Sequence, residues 1–263
     1  MHAFDALGHG RSPELPKRGR HNIERFADLT GDAEAFAAAA LDAYPQPPPP
    51  AFIMGQSLGC APAHHSAACP FCTVIALTGA FVVLRSGLVA AHVALSAPKR
   101  FAKGGLVLMS AAMDVEWTPV LHVQAALGGL LSCLVPNVQL VPAVSPKDLS
   151  RDPEVVAAFV ADPLVAHGNT KGRMAYESLC AFRRLQPRYV EFTLPLLAMH
   201  GTSDKITSLP AVRRLVNAAA STDKALVEWP GAFHELMHEP EKQQVLDKLT
   251  AWILERSGAP AKL

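Results

Sequence analysis

The feature that most constrains the fold is a short apolar run, Ala51-Phe52-Ile53-Met54, that leads into Gly55-Gln56-Ser57-Leu58-Gly59. Four apolar residues stopped by turn residues read as a short buried strand. A serine between two glycines at the end of such a strand fits a nucleophile elbow. Gly55 and Gly59 carry no Cβ to clash at a sharp strand-to-helix turn, where the serine is held in a strained backbone conformation. The turn lifts the hydroxyl into a cleft, and the N–H of Leu58 then faces an oxyanion at the start of the next helix. The competing reading is a chance Gly-x-Ser-x-Gly in a glycine-containing turn, and the pentapeptide alone leaves the two open.

A serine hydroxyl needs a base, and the base needs an orienting carboxylate. Residues 194–200, Leu-Pro-Leu-Leu-Ala-Met-His, read as another buried strand followed by Gly201-Thr-Ser-Asp204. An acid just past the carboxyl end of a strand sits where open α/β sheets build their sites. A helical stretch over 209–220 follows, then a strand over 225–229 leading into Pro230-Gly231-Ala232-Phe233-His234. Alone, a loop Asp reads as a turn or cap residue and a loop His as a solvated one. Together, Ser57, Asp204 and His234 stand in the chain order of α/β-hydrolases, and each follows a predicted strand.

Further segments carry a family resemblance over most of the chain. Asp5-Ala-Leu-Gly8-His9-Gly10-Arg11-Ser12 resembles the loop after the fourth strand of α/β-hydrolases, and Gly105-Leu-Val-Leu-Met109-Ser110 the strand after the nucleophile helix. Leu134-Val-Pro-Asn137, Leu149-Ser-Arg151-Asp152-Pro-Glu154-Val155 and Asp162-Pro163-Leu164-Val165 resemble the cap region of monoacylglycerol lipases and their lysophospholipase-like relatives. The fold this implies is an α/β-hydrolase, a mostly parallel sheet with helices on both faces, a helical cap and the first strands missing. The expected layout is a partial core over 1–113, a helical cap over 114–190, and a core segment over 191–263 carrying the acid and the histidine. The resemblance implies Ser57 as nucleophile, His234 as general base and then acid, and Asp204 as the group orienting the imidazole. The implied reaction cleaves a monoacylglycerol or lysophospholipid-type ester with no metal and no organic cofactor. The alternative is a non-catalytic lipid-binding or interaction remnant, inactive because the oxyanion loop is absent.

Two departures from the family pattern shape these expectations. The chain starts at the tail of what would be the fourth strand, before which relatives carry three strands and a His-Gly segment that completes the oxyanion hole. Since the third strand lies beside the nucleophile strand, residues 51–56 are expected to have an unpaired edge. An atypical insert near 62–88 also interrupts the stretch where relatives run one helix from the elbow into Ala91-His-Val-Ala-Leu-Ser96. Pro62 and Pro70 break any continuous helix there. Either both departures reflect a late start codon and retained intron sequence, or residues 74–84, rich in β-branched and aromatic side chains, supply a surrogate strand.

Composition narrows the classes. A chain of 263 residues, half hydrophobic and carrying a formal charge of +1, has no basic block for nucleic acid or an electrostatic membrane anchor. The first residues show no charged leader followed by an apolar core, so no signal peptide is expected, and the odd cysteine count points to a reducing compartment. The protein is therefore expected to be cytoplasmic or peripheral to a membrane. Cys69-Pro-Phe-Cys72 with His64-His65 offers a redox or zinc reading, but no second ligand pair stands at zinc-finger spacing. Arg85 splits the apolar stretch 73–97 into pieces too short to span a bilayer. Residues 117–135 carry no charge. They are expected to form a mobile cap helix with an inner face for an acyl chain and an outer face for lipid contact, loosened by Gly128-Gly129. Helices are expected near 153–161 and 172–185, the second with a solvated Arg/Glu side.

Overall fold

The computed structural model describes residues 12–14, 19–44, 48–58, 80–84, 86–142, 144–163, 165 and 168–258. In chain order these form α1 (Phe26–Asp42), β1 (Ala51–Gln56), β2 (Ala80–Leu84), α2 (Gly87–Ser96), β3 (Gly105–Met109), α3 (Pro119–Leu134), β4 (Gln139–Val141), α4 (Pro153–Ala161), β5 (Thr170–Lys171), α5 (Gly172–Leu185), β6 (Leu196–Gly201), α6 (Leu209–Ala218), β7 (Lys224–Trp229) and α7 (Lys242–Ser257). Five strands make a parallel sheet in the order β2-β1-β3-β6-β7. The short β4 and β5 pair as an antiparallel ribbon between β3 and β6. The fold is an α/β-hydrolase.

Each central strand is an uninterrupted apolar run because both of its faces are covered. Ile53, Val82, Leu106, Leu108, Leu196 and Ala198 point into one layer, with α1, α2, α5 and α6. Phe52, Phe81, Val107, Met109, Leu197 and Met199 point into the other, where α7 supplies Val245, Leu249, Trp252 and Ile253. Helix α1, which the sequence reading did not single out, turns Phe26, Ala33, Ala37, Ala40 and Leu41 inward.

The expected unpaired edge of β1 is not present. β2 lies beside β1 in parallel register, Ala51 opposite Ala80 through Gly55 opposite Leu84, while β3 takes the other side. A strand from within the insert thus occupies the place beside β1. Its alternation suits both layers, with Phe81 stacked on Phe52 at a centroid distance of 5.3 Å. A parallel neighbour demands a crossover of a dozen or more residues, which the long connection between β1 and β2 supplies. Residues 59–79 of that connection, including Gly59, His64, His65, Cys69 and Cys72, lie outside the described residues, as does the Gly8-His9-Gly10 loop.

Helix α2 begins only at Gly87, yet it begins at the elbow, since the Gly87 N–H donates to the Ser57 carbonyl at 2.8 Å. The chain leaves the turn at Leu58 and returns to it at Gly87, having contributed β2 in between. Gly55 is obligatory for this crossing: a Cβ there would lie 2.5 Å from Ala90 Cβ and 2.7 Å from the Ser86 carbonyl.

Between β3 and β6, α4 and α5 have the expected bounds, but their neighbours differ from expectation in two respects. Arg173 and Glu177 of α5 are half-buried rather than turned to water. They pair at 3.1 Å and grip the segment before α1, Arg173 donating to the Glu24 carbonyl and Glu177 accepting from the Phe26 N–H. The expected exposure holds at Arg183 and Arg184. Gly128 and Gly129 of α3 lie against the Tyr176 ring, a Cβ on Gly128 reaching 3.0 Å from it, so close packing on α5 accounts for the pair. Among the described residues no helix is long and apolar enough to cross a membrane.

Candidate active site

The carboxyl ends of β1, β6 and β7 bring three distant residues together. Ser57 follows β1 at φ 56°, a left-handed conformation costly for a residue with a Cβ and characteristic of a strained functional turn. Its own N–H donates to the Met109 carbonyl at 3.2 Å and its carbonyl takes the Gly87 N–H, so the backbone fixes the turn from both sides. Asp204 lies on the loop after β6 and His234 on the loop after β7. These two loops are bound to each other: Thr202 N–H donates to the Trp229 carbonyl, Ser203 N–H to Ala232, and Gly231 N–H to Thr202 Oγ1. Gly201 permits this approach, because a Cβ there would stand 2.3 Å from the carbonyls of Ala232 and Phe233.

His234 Nε2 lies 2.8 Å from Ser57 Oγ, and Nδ1 lies 2.9 Å from Asp204 Oδ2. A carboxylate only accepts, so Nδ1 carries the proton and Nε2 is left to accept from the serine hydroxyl. The imidazole is 1 % exposed and the Asp204 side chain fully buried.

The acid has more partners than the sequence disclosed. Oδ1 accepts from the backbone N–H groups of Ile206 and Thr207 at 2.8 and 3.0 Å. Oδ2 accepts from Thr207 Oγ1 at 2.7 Å as well as from His234, and the buried Nε2 of His200 lies 3.3 Å away. The acceptors around that nitrogen, Asp204 and the Thr207 carbonyl, assign it the proton of His200. Burial alone pushes the Asp204 carboxyl up, but hydrogen bonds from His200, His234 and Thr207 outweigh it and hold the group well below the usual carboxylate range. Gln56 ties the elbow to the histidine loop, donating to the buried Glu235 at 2.9 Å. Of these residues only His200 carried a sequence signal, a histidine at the end of a strand four residues before the acid.

Ser57, Leu58, Asp204 and His234 all line a cavity of about 1110 Å³. Leu149, Phe159, Val165 and Ile206, packed against one another, give the lining an apolar flank, and Gln139, Lys171 and Arg20, brought together by the β4–β5 pairing and the Lys171 bond to the Arg20 carbonyl, give it a polar one. No carbonyl among the described residues takes the Leu58 N–H, which stands next to the serine. The expected inner face of the uncharged cap helix is absent: α3 contributes nothing to the lining. Its Val120, Val123, Leu127, Leu130 and Leu134 are instead 50–69 % exposed.

The profile of the serine aminopeptidase, S33 family matches residues 1–84 and 86–241. The chain is 31 % identical over 254 residues to monoacylglycerol lipase from Mycolicibacterium smegmatis, covering 97 % of this chain and 78 % of that protein. It superposes on the crystal structure of Paleococcus ferrophilus monoacylglycerol lipase with a TM-score of 0.73 at 25 % identity, covering 97 % and 83 % of the two chains. The fold also matches a soluble variant of monoglyceride lipase from Saccharomyces cerevisiae, solved with a substrate analogue, with a TM-score of 0.73 at 17 % identity and coverage of 97 % and 77 %.

Proposed function

We infer that this protein, which belongs to the serine aminopeptidase, S33 family and is a monoacylglycerol lipase-like serine ester hydrolase, cleaves monoacylglycerols to fatty acid and glycerol through an acyl-enzyme on Ser57. The observation that carries the reading is the unbroken relay from Ser57 Oγ through His234 to Asp204, set in a cavity with one apolar and one polar flank. Such a relay gives no support to a non-catalytic remnant.

In the first half-reaction His234 Nε2 takes the Ser57 proton as Oγ attacks the ester carbonyl. The carbonyl π pair moves onto oxygen, where the Leu58 N–H stabilises the charge. Collapse of this tetrahedral species expels glycerol, which takes the proton from His234. Water then gives a proton to the same nitrogen and attacks the acyl carbonyl. The fatty acid leaves as Ser57 regains its proton. Asp204 holds Nδ1–H throughout and stabilises the imidazolium formed twice per turnover. The apolar flank suits an acyl chain and the polar flank a glycerol head.

Incubation with a long-chain monoacylglycerol tests this reading: fatty acid and glycerol are expected in equal amounts, with a fluorophosphonate label on the peptide containing Ser57. A folded protein that neither labels nor turns over any ester would sink it.

The outward stripe of α3 serves as the contact with a lipid surface, since five large apolar side chains on one helix face otherwise lie in water. Replacing Leu127 and Leu130 together by Ser is expected to weaken sedimentation with phosphatidylcholine vesicles by about 10- to 100-fold, the worth of two partly inserted leucines. Hydrolysis of a soluble short-chain ester should be preserved. Unchanged vesicle binding would move the contact elsewhere.

A further inference from the structure

The histidine loop is fastened to the root of the cap region at both neighbours of His234. The Glu235 N–H donates to the Leu149 carbonyl at 2.8 Å. The Phe233 N–H donates to the carboxylate of Glu239 at 3.0 Å. That carboxylate is fully buried, and the same group holds the chain entering α4. Its Oε1 accepts from Ser150 Oγ and the Arg151 N–H, both at 2.8 Å. Its Oε2 accepts from Arg151 Nε at 2.6 Å as well as from Phe233. Each oxygen therefore receives two donors, and the four come from two segments more than eighty residues apart in the chain. Hydrogen bonding outweighs the burial that by itself pushes the group up, and keeps it ionised.

We propose that Glu239 is a positioning residue for ester hydrolysis, locking the loop of His234 to the cap root at Ser150 and Arg151 so that the seating of that root sets the aim of the imidazole at Ser57. The proposal rests on the hydrolase reading above. The cavity supplies the link to substrate. Leu149 lines its apolar flank with Phe159 and Val165, and an acyl chain packed there presses on the residue whose carbonyl holds the Glu235 N–H. The relay geometry is thus shared between the core and the segment that contacts the acyl chain.

Glu239→Gln is the informative change. A carboxamide offers one accepting oxygen, so in either orientation its NH₂ faces two of the four donors. The loop carrying His234 then loses its anchor while side-chain volume is kept. Displacement of a relay member by a fraction of an ångström to an ångström costs up to about 100-fold in rate. The full-length chain is titrated with a fluorophosphonate probe, and kcat is expressed per titrated site for a long-chain monoacylglycerol and for p-nitrophenyl acetate. Glu239→Gln is expected to lower per-site kcat by about 10- to 100-fold on both esters while KM changes less than about twofold. Arg151→Met, at the other end of the lock, should lower it in the same direction, and the double variant should be no slower than Glu239→Gln alone. Should Glu239→Gln fail to fold, Arg151→Met carries the same decision. Unchanged per-site kcat with fewer titratable sites would overturn the proposal, because Glu239 would then serve stability alone. A rise in KM for the long-chain ester only, with kcat intact, would also overturn it by separating the cap root from His234. A folded wild-type chain that neither labels nor hydrolyses overturns the hydrolase reading itself, and this inference with it.

Discussion

Ser57→Ala is expected to lower kcat on monoacylglycerol by about 10⁴- to 10⁶-fold, the range seen when the nucleophile of a serine relay is removed. The protein should nevertheless fold. The turn at Ser57 is fixed by backbone groups, its N–H on the Met109 carbonyl and its carbonyl on the Gly87 N–H, and alanine keeps both. Alanine accepts the left-handed φ of 56° at no greater cost than serine, since both carry a Cβ. What is lost is one hydrogen bond to His234, worth about 1 kcal/mol net, so thermal unfolding should shift by no more than about 4 °C. Fluorophosphonate labelling should disappear together with turnover. Esterase activity retained above about a hundredth of wild type would remove Ser57 from the nucleophile's place and leave the strained turn without a function.

The parts of this site legible in the sequence are those with local punctuation. The strands ending at Gln56, Met109 and Gly201 are apolar runs long enough for a buried strand and too short for a helix, and a glycine-marked turn follows the first of them. Ser57 and Asp204 stand out because each comes just after such a run, and His234 because it follows the next strand, Lys224–Trp229, in the matching chain order. The partner of β1 was harder to read. Ala80–Leu84 is equally apolar, but its pairing with β1 is a tertiary choice that periodicity leaves open. Glu239 looks like an ordinary loop acid, and its burial depends on four donors that no short window contains. Arg173 and Glu177 mislead for the same reason: their spacing reads as a solvated ion pair until the segment before α1 settles onto them. For α3 composition cannot assign a direction, since an uncharged helix suits an inner or an outer face equally well. Contact of Gly128 and Gly129 with Tyr176 turns the leucine stripe outward.

Asp204→Asn is expected to cost about 10⁴-fold in kcat/KM although it changes no more than one atom in the relay. The reason lies in how the two carboxylate oxygens divide their partners. Oδ1 accepts two backbone N–H groups, which cannot turn away, so the asparagine carbonyl must take that position. The NH₂ then occupies the place of Oδ2, where His234 Nδ1, Thr207 Oγ1 and His200 Nε2 all present protons. Thr207 has an escape, because its hydroxyl can donate to the Ser110 carbonyl 3.1 Å away and accept from the amide. His234 has none except the other tautomer, with Nδ1 accepting and the proton on Nε2. That proton faces Ser57 Oγ, and the base is blocked at its working nitrogen. The unfolding curve against pH provides a second readout. The folded carboxyl of Asp204 lies below its ordinary value of 3.8, so it contributes stability above that value and loses it as pH falls further. The asparagine variant lacks this contribution, and its stability should fall less steeply over the same acid range. A loss in kcat/KM under about tenfold would mean that His234 keeps its tautomer without the acid, and that Asp204 does not orient it.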